Sequence, residues 1–473
     1  MLDRLFKLKE HGTNVRTEVL AGLTTFLTMA YIIFLQPAIL SGQLFGMETG
    51  MDWGAVMTAT CLAAALATAI MGLYANYPIG QAPGMGENFF FVFTVLPAAA
   101  TIATGATQPW QIALGVVFVS GILFLLLAVL GVREALLGAI SPSMRNAIAV
   151  GIGVFVAFIG LQNAGLIAPH SGTCVKLNPH FTSPDVFVFV FGLIVTTGLF
   201  ARRVRGAIVW GILAATLLAA ALQWSLPWLP QGWVQSEVVA NSGLVKRFAV
   251  AQTVVEAPPS LAPTFMQMDL RGALSLTMLP FILIFLFMDL FDTLGTLLGV
   301  SEQAGLVKDN RLPRARQAFM SDAIGTAAGA AMGTSTVTSF IESTAGVEQG
   351  GRTGLTACTT AVLFLAAIFF APIVRMVGGY PAITAPALVL VGAMMMRNVT
   401  KIDWSDYTEA LPSFLVVIGI PFTYSIGDGL ALGFLAYPVV KVAGGRRREV
   451  KWLMIVLAFV LAAYFFFLRP AAG

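Results

Sequence analysis

Two short segments, residues 80–91 and 333–344, constrain the fold most, because they interrupt stretches that are apolar enough to lie inside a lipid bilayer. Both open with glycine, proline or hydroxyl residues, supply a carboxylate or an amide, and then become apolar. Irregular backbone is tolerated at membrane depth only where protein or a water-filled cavity satisfies its polar groups. One such segment in each half of the chain is typical of a transporter whose broken helices meet at a site near the midplane.

The composition places the chain in a membrane. Of 473 residues, 58% are hydrophobic and 11% are charged, with a mean hydropathy of +0.85. Soluble globular domains have about 45–50% apolar and about 25% charged residues. The net charge of +4 does not indicate nucleic-acid binding, because the basic residues are scattered between apolar spans without interleaved aromatic residues. The sequence therefore predicts an all-α polytopic membrane protein.

Cysteine and histidine usage does not indicate a metal or disulfide framework. The three cysteines form no C-x-x-C motif, and the three histidines lie far apart, outside the apolar spans. We therefore expect no metal and no cofactor.

Apolar stretches of about 20 residues predict seven membrane spans in each half, separated by a polar segment at 230–270. The first seven lie at 16–40, 54–74, 80–100, 110–131, 147–168, 185–201 and 207–226. The second seven lie at 274–300, 317–332, 334–347, 353–371, 381–397, 411–426 and 428–443. Halves with an odd number of helices have opposite orientations, so broken helices 3 and 10 take equivalent places in a 7+7 inverted repeat. Whether the apolar run at 452–468 is a further span stays open.

The basic residues predict the orientation. With the N-terminus in the cytoplasm, most of the 27 Lys and Arg residues fall in cytoplasmic segments. The outside receives Lys176, Lys246, Arg247, Arg271 and Arg375. Because positive charge is retained on the cytoplasmic side, we expect a multi-pass protein of the cell membrane with both ends of its repeat inside.

Two carboxylates within one predicted span, Asp289 and Asp292, are the strongest candidates for function. A carboxylate at the centre of a membrane helix costs about 2.5–3.5 kcal/mol on insertion scales. At a spacing of three, the two occupy neighbouring positions on one helical face. Two close carboxyls in a dry site cannot both ionise easily, which suits a proton carrier. The alternative is that they only hold the broken helices through hydrogen bonds to free backbone N–H groups.

The broken segments carry two further candidates, Glu342 and Asn88. Residues 339–342 fit an S-x-x-E capping box, so Glu342 has a structural interpretation. A half-helix start inside a bilayer also directs its positive end at the cavity, where a carboxylate can accept a ligand's N–H. Asn88 takes the equivalent place in the first half, and its amide suits a heterocycle with both donors and acceptors. Phe89 and its two aromatic neighbours either stack on such a ring or pack between helices.

Other polar positions carry weaker signals. Asp322, Glu18 and Asp428 lie toward the ends of spans and are interpreted as structural groups that pair or meet water. The sequence at 350–354 resembles a phosphate-binding loop superficially, but it lacks the lysine and the strand-to-helix context of that motif. It is predicted to be the cytoplasmic turn before the next span.

Several of these motifs together resemble those of the AzgA-like purine permeases, within the nucleobase/ascorbate transporter superfamily. The similar stretches are 82–86 with Asn88, 289–296, and 338–346 with 350–356. Residues 24–32 and 429–434 extend the resemblance over nearly the whole chain. Two departures are present: Glu87-Asn88-Phe89 stands where that family usually has Leu-Asn-Ala, and Gln36-Pro37 stands where it has Asn-Pro.

The resemblance implies a core domain at 16–131 and 271–372 that moves against a gate domain at 132–229 and 373–445. The extracytoplasmic loop at 230–270 joins them, and 452–468 is an extra C-terminal segment. It also implies proton-coupled uptake of adenine, guanine or hypoxanthine, with a homodimer as a compatible assembly. The predicted substrate-binding residues are Asn88, Asp289, Glu342, Glu87 and Phe89, and the predicted proton-coupling residues are Asp292 and Asp289.

Three classes of function remain open at this point. The first is a proton-coupled purine transporter. The second is a transporter of the same fold for xanthine, uracil or an inorganic anion, although an anion site favours Arg or Lys at the half-helix starts. The third is a membrane enzyme or channel, but no nucleophile with a base and no metal cluster stands at membrane depth. We therefore expect a transporter and not an enzyme.

Overall fold

The computed structural model describes residues 2–130, 140–170, 172–228, 230–306 and 312–463, and this part of the chain is mostly helical. Its α-helices, numbered in chain order, are α1 (Leu2–Phe6), α2 (Val15–Met29), α3 (Tyr31–Leu40), α4 (Trp53–Ile70), α5 (Met85–Phe90), α6 (Leu96–Ala100), α7 (Pro109–Leu130), α8 (Pro142–Asn163), α9 (Pro184–Ala201), α10 (Ala207–Ser225), α11 (Gln231–Val234), α12 (Glu237–Ala240), α13 (Gly243–Lys246), α14 (Leu270–Ala273), α15 (Leu279–Gln303), α16 (Ala315–Met332), α17 (Ser343–Glu348), α18 (Gly354–Ala367), α19 (Ala371–Gly378), α20 (Pro381–Met395), α21 (Tyr407–Thr423), α22 (Ile426–Ala443) and α23 (Trp452–Ala463).

Shorter elements extend or connect these helices. The strands are β1 (Gln81–Pro83), β2 (Ile167–His170), β3 (Cys174–Leu177) and β4 (Val337–Ser339). Turns of 3-10 helix lie at Gln43–Phe45, Leu226–Trp228, Ile368–Phe370, Met396–Lys401 and Arg447–Glu449, and π turns lie at Met71–Ala75 and Phe91–Val95.

Ten helical segments within the described residues are long and apolar enough to cross a membrane. The polytopic membrane class is therefore confirmed, whereas a count of fourteen spans is not established by length and composition. The other predicted spans are also helical, but they are too short or too polar to qualify: Met85–Ala100, Ala315–Met332, Ser343–Glu348 and Tyr407–Thr423.

The two predicted breaks meet as a short antiparallel β-pair. Strand β1 pairs with β4, with Ala82 opposite Thr338. The ladder is extended by Gly84 N–H, which donates to the carbonyl oxygen of Thr336 at 3.1 Å, and by Phe340 N–H, which donates to that of Gly80 at 3.0 Å. Buried main-chain polar groups require partners, and each break supplies them for the other. The all-α prediction is thus corrected at the breaks, and also at the hairpin formed by β2 and β3.

Glycine and proline explain why helix is interrupted at these two places. Gly333 has a φ of +107°, a left-handed conformation that ends α16. In the first break, Pro83 has no N–H to donate to a helix. A Cβ on Gly84 would lie 2.2 Å from Oε2 of Glu87, so this position needs glycine for a close approach. After each break a half-helix begins, α5 in the first half and α17 in the second.

The helices pack in extended pairs around this crossing. Helix α18 packs against α2 and α4, and α16 packs against α4 and α7. Helix α8 packs against α20 and α21, and α9 packs against α10 and α20. The β-pair lies against α4, α15 and α16, which places the two breaks inside the first of these groups.

Some predicted boundaries were wrong by a turn of helix. Helix α8 begins at Pro142, because the hydroxyl of Ser141 accepts a hydrogen bond from Met144 N–H at 3.3 Å. Arg145, predicted in a loop, therefore lies in the first turn of α8. Ser-Pro is a common helix start, and the apolar count alone missed it. Of the predicted C-terminal segment 452–468, residues 464–468 lie outside the described residues.

The polar segment at 230–270 is ordered against neighbouring helices. Thr264 donates its hydroxyl to the carbonyl oxygen of Met332 at 2.8 Å. Met266 N–H donates to Ala331 at 2.7 Å, close to the end of α16. The segment therefore covers the end of α16 from which the second break begins.

Candidate functional site

Helices α15 and α16 and the two breaks bring together five carboxylates, each of which interacts electrostatically with Asp292 or with a neighbour of Asp292: Glu87, Asp289, Asp292, Asp322 and Glu342. None of them forms an ion pair with Lys or Arg in the described part of the chain. Among the residues that the structure describes, no group of three or more His, Cys, Asp or Glu residues is arranged to hold a metal ion. The site is thus acidic and lacks a protein counter-ion among the described residues.

Asp289 is fully buried and only partly hydrogen-bonded. Thr326 of α16 donates its hydroxyl to Oδ2 of Asp289 at 2.9 Å. Oδ1 of the same carboxyl accepts no hydrogen bond from an N–H or hydroxyl donor, but the Asp289 carboxyl lies within hydrogen-bonding reach of the Asp322 carboxyl. Two buried carboxyls this close cannot both ionise easily, so they are suited to sharing one proton.

Asp292, one turn further along α15, lies in a different environment. Its side chain is exposed, and Oδ2 accepts a long hydrogen bond of 3.4 Å from the Thr338 hydroxyl. Gly295, three residues on, is exposed as well. The predicted adjacency of Asp289 and Asp292 therefore holds, but only Asp292 faces an accessible space.

Asp322 was placed toward a helix end by the sequence, whereas it lies in the middle of α16 and is fully buried. Gln81 of β1 donates Nε2–H to Oδ1 of Asp322 at 2.7 Å, and the Thr293 hydroxyl donates to Oδ2. The same Thr293 hydroxyl lies 2.8 Å from that of Thr338. The sequence held a signal that Asp322 belongs to the site: Asp322 and Thr326, which hydrogen-bonds Asp289, are four residues apart and so share one face of α16.

Glu342 is the N-cap residue of α17 and is half-buried. The predicted capping box does not form. Its first residue, Ser339, belongs to β4 and pairs with Gln81, and the Glu342 side chain makes no capping hydrogen bond. Instead, the Tyr31 hydroxyl donates to Oε1 of Glu342 at 2.7 Å. Nothing in the sequence indicated this contact between residues 311 positions apart.

Asn88 is fully buried, and both ends of its amide are occupied. Its Nδ2 donates to Oε1 of Gln36, and its Oδ1 accepts from the Ser335 hydroxyl. Gln36 also donates Nε2–H to the hydroxyls of Thr334 and Ser335, at 2.9 and 3.0 Å. Asn88 thus joins α3 and the second break to the first break.

The two neighbours of Asn88 differ in their surroundings. Glu87 is 3% exposed, and Oε2 of its carboxylate lies over Gly84 at the start of α5. Phe89 is fully buried among other phenylalanines, stacked on Phe93 at 6.2 Å and edge-on to Phe155 at 6.0 Å. Phe89 therefore packs between helices, which is the second of the two interpretations of this residue.

The fold is that of a membrane transporter. The structure is similar to the transmembrane domain of a cyanobacterium bicarbonate transporter, BicA, with a TM-score of 0.60 over 91% of this chain and 97% of that one. At 14% identity this similarity concerns the fold alone.

The sequence comparisons are more specific. Residues 16–432 match a family described as a permease family, Xan_ur_permease. The chain is 40% identical to the adenine permease AdeP of Escherichia coli, over 98% of this chain and 96% of that protein. It is 41% identical to the guanine/hypoxanthine permease PbuG of Bacillus subtilis, over 99% and 100% respectively. This chain belongs to the permease family, as its motifs predicted, and its relatives are transporters rather than enzymes.

Proposed function

We propose that this protein is a proton-coupled transporter that takes up adenine, guanine or hypoxanthine across the cell membrane. The observation that carries the proposal is the acidic site itself, with the buried carboxyls of Asp289 and Asp322 next to each other and an accessible carboxyl at Asp292. Purine bases carry N–H groups, which can donate hydrogen bonds to these carboxylate oxygens. The printed substrates of the two relatives, adenine and guanine/hypoxanthine, support the same class of substrate.

In this proposal Glu342 and Asp289 accept N–H groups of the base. Glu342 is half-buried, whereas Asp289 is fully buried. Glu87, Asn88 and Phe89 form the wall behind them. A direct contact between Asn88 and the base requires Gln36 or Ser335 to release its amide.

Asp292 is the proposed proton-linked group. It is the exposed member of the acidic set, and it interacts electrostatically with Glu342. A proton on Asp292 reduces the repulsion between the two carboxyls, so proton uptake and base binding at Glu342 support each other. This coupling is what symport of a neutral base with a proton requires.

The proposed architecture is fourteen helices in a 7+7 inverted repeat, with the N-terminus in the cytoplasm. The core domain comprises 16–131 and 271–372, and the gate domain comprises 132–229 and 373–445. Rocking of one against the other would expose the β1–β4 crossing alternately to each side. The pairing of α18 with α2 and α4, and of α8 with α20 and α21, is consistent with this division. A homodimer is compatible with the proposal.

The alternative substrates are xanthine, uracil and an inorganic anion. The similarity to a bicarbonate transporter concerns the fold only. An anion site would need nearby positive charge, and in the described residues no Lys or Arg forms an ion pair with the five carboxylates. Xanthine and uracil also carry N–H donors, so the acidic site alone does not separate them from adenine, guanine and hypoxanthine.

Uptake of labelled substrates by cells that lack purine transport tests the proposal. We expect saturable uptake of adenine, guanine or hypoxanthine, and a protonophore should abolish accumulation above the external concentration. Cells carrying the empty vector are the control. Saturable uptake of only xanthine, uracil or bicarbonate would replace the purine assignment by the alternative, and uptake that does not saturate would indicate a channel.

A further inference from the structure

The carboxylate of Glu342 is held by the first membrane helix of the chain. Tyr31, the first residue of α3, donates its hydroxyl to Oε1 at 2.7 Å, and the main chain of Glu342 itself also hydrogen-bonds the carboxylate. Tyr31 itself is 1% exposed, so its ring has little freedom to leave this contact. Its ring lies 6.4 Å from that of Phe340, the residue that follows β4.

Helix α2 also fixes the main chain from which Glu342 projects. The Thr28 hydroxyl lies 3.2 Å from the carbonyl oxygen of Glu342, and the same hydroxyl also lies 2.8 Å from the carbonyl oxygen of Thr25 in its own helix. One turn along α17, a Cβ on Gly346 would lie 2.1 Å from Oγ1 of Thr25 and 2.8 Å from the carbonyl oxygen of Ala21. Glycine at this position therefore lets α2 and α17 approach closely.

A tyrosine hydroxyl has a single proton to donate. Tyr31 uses that proton on Oε1, which orients the plane of the carboxylate and leaves acceptor capacity for a ligand. A group held in its binding geometry before the ligand arrives loses less conformational freedom on binding. Without the hydroxyl, the Glu342 side chain can rotate between several staggered conformers.

We propose that Tyr31 is a positioning residue that presents the Glu342 carboxylate to the substrate. The inference rests on the proposed function, in which Glu342 accepts an N–H of a purine base. It assigns to the first membrane helix a role in recognition, beyond the carboxylates and the amide of the site.

The matched pair of variants Tyr31→Phe and Tyr380→Phe tests this role. Tyr380 is also 1% exposed and donates its hydroxyl to a carboxylate, Oδ1 of Asp185, at 2.6 Å. That carboxylate lies at the start of α9, away from the acidic site, and also accepts from the N–H groups of Gly243 and Leu244. Both variants remove one oxygen atom and one charge-assisted hydrogen bond, but only Tyr31 contacts Glu342.

Initial rates of purine uptake should separate the two variants, with protein in the membrane quantified for each. We expect Tyr31→Phe to raise KM roughly 5- to 10-fold, with the maximal rate per transporter within about 2-fold of wild type. Tyr380→Phe should leave KM within about 2-fold. An unchanged KM in Tyr31→Phe, or an equal rise in both variants, would overturn the inference.

A second variant covers the case in which Tyr31→Phe does not reach the membrane. Thr28→Val keeps the shape of the side chain and removes a hydroxyl that contacts both the Glu342 main chain and Thr25 of its own helix, so it should raise KM by about 2-fold without changing the maximal rate. A wild-type KM in Thr28→Val would then count against the role of this helix. Wild-type protein that takes up no purine at all would contradict the proposed function instead, and so the two failures are distinguishable.

Discussion

Glu18 and Glu342 both lie where the segment formed by α2 and α3 meets the second half of the chain, Glu18 at the turn before α18 and Glu342 at the second break, and their surroundings differ. The carboxylate of Glu18 is fully buried and accepts backbone N–H bonds from Arg352, Thr353 and Thr356 at 2.9–3.3 Å. It also accepts the Thr356 hydroxyl at 2.6 Å. Glu342 accepts one hydroxyl, from Tyr31, and remains half-buried.

The difference separates a structural carboxylate from a binding carboxylate. The turn at 350–354 resembles a phosphate loop because it also directs N–H groups at an anion, and here the anion is Glu18 of the same chain. Its N–H groups and its acid are mutually satisfied, which leaves no capacity for a ligand. Glu342 accepts a single side-chain hydrogen bond and is half-buried, so it retains acceptor capacity for a ligand, unlike Glu18.

The largest expected effect is on affinity at the carboxylate that retains acceptor capacity, Glu342. Glu342→Gln keeps the size of the side chain but replaces a charged acceptor, and hydrogen bonds to charged groups contribute about 1.5–3 kcal/mol. We therefore expect purine binding to weaken by about 10- to 100-fold. Binding of labelled purine to purified protein measures this change. Wild-type affinity in a folded Glu342→Gln protein would remove Glu342 from the site.

The next effect concerns accumulation and tests whether Asp292 differs from the buried acids. Asp292→Asn cannot take up a proton, so uptake should lose its coupling to the membrane potential, which is worth about 2.3 kcal/mol per charge per 100 mV. At that potential the loss corresponds to about a 50-fold lower accumulation ratio. Purine binding should change less than accumulation does. A variant that still concentrates purine against its gradient would exclude Asp292 from coupling.

The smallest effect on transport is expected at the satisfied carboxylate. Glu18→Gln removes a charged acceptor from three backbone N–H groups and should lower the free energy of unfolding by about 1.5–3 kcal/mol. Thermal unfolding of the purified protein, compared with Glu342→Gln, measures the difference. The purine affinity of folded Glu18→Gln protein should stay within about 2-fold of wild type. A loss of affinity as large as that of Glu342→Gln would contradict a purely structural role for Glu18.

Prediction from sequence was most successful where local composition decides the outcome. The apolar spans, the two breaks and the buried Asp289 follow from run length, glycine and proline placement, and a charge at membrane depth. The structural interpretation of Glu18 is confirmed by its four hydrogen bonds. The capping-box alternative for Glu342 is not formed, because pairing of Ser339 with Gln81 places the first residue of the box in a strand.

The sequence by itself determined the membrane class, the places where helix is interrupted and the acidic character of the site, because these depend on neighbours along the chain. Only the tertiary structure decided which oxygen atoms are satisfied. The partners of Asp322, Asn88 and Glu342 come from segments 241, 52 and 311 residues away, respectively. Such contacts have no periodicity that a sequence can display, since they depend on how the two breaks cross and on how closely glycine lets the helices approach.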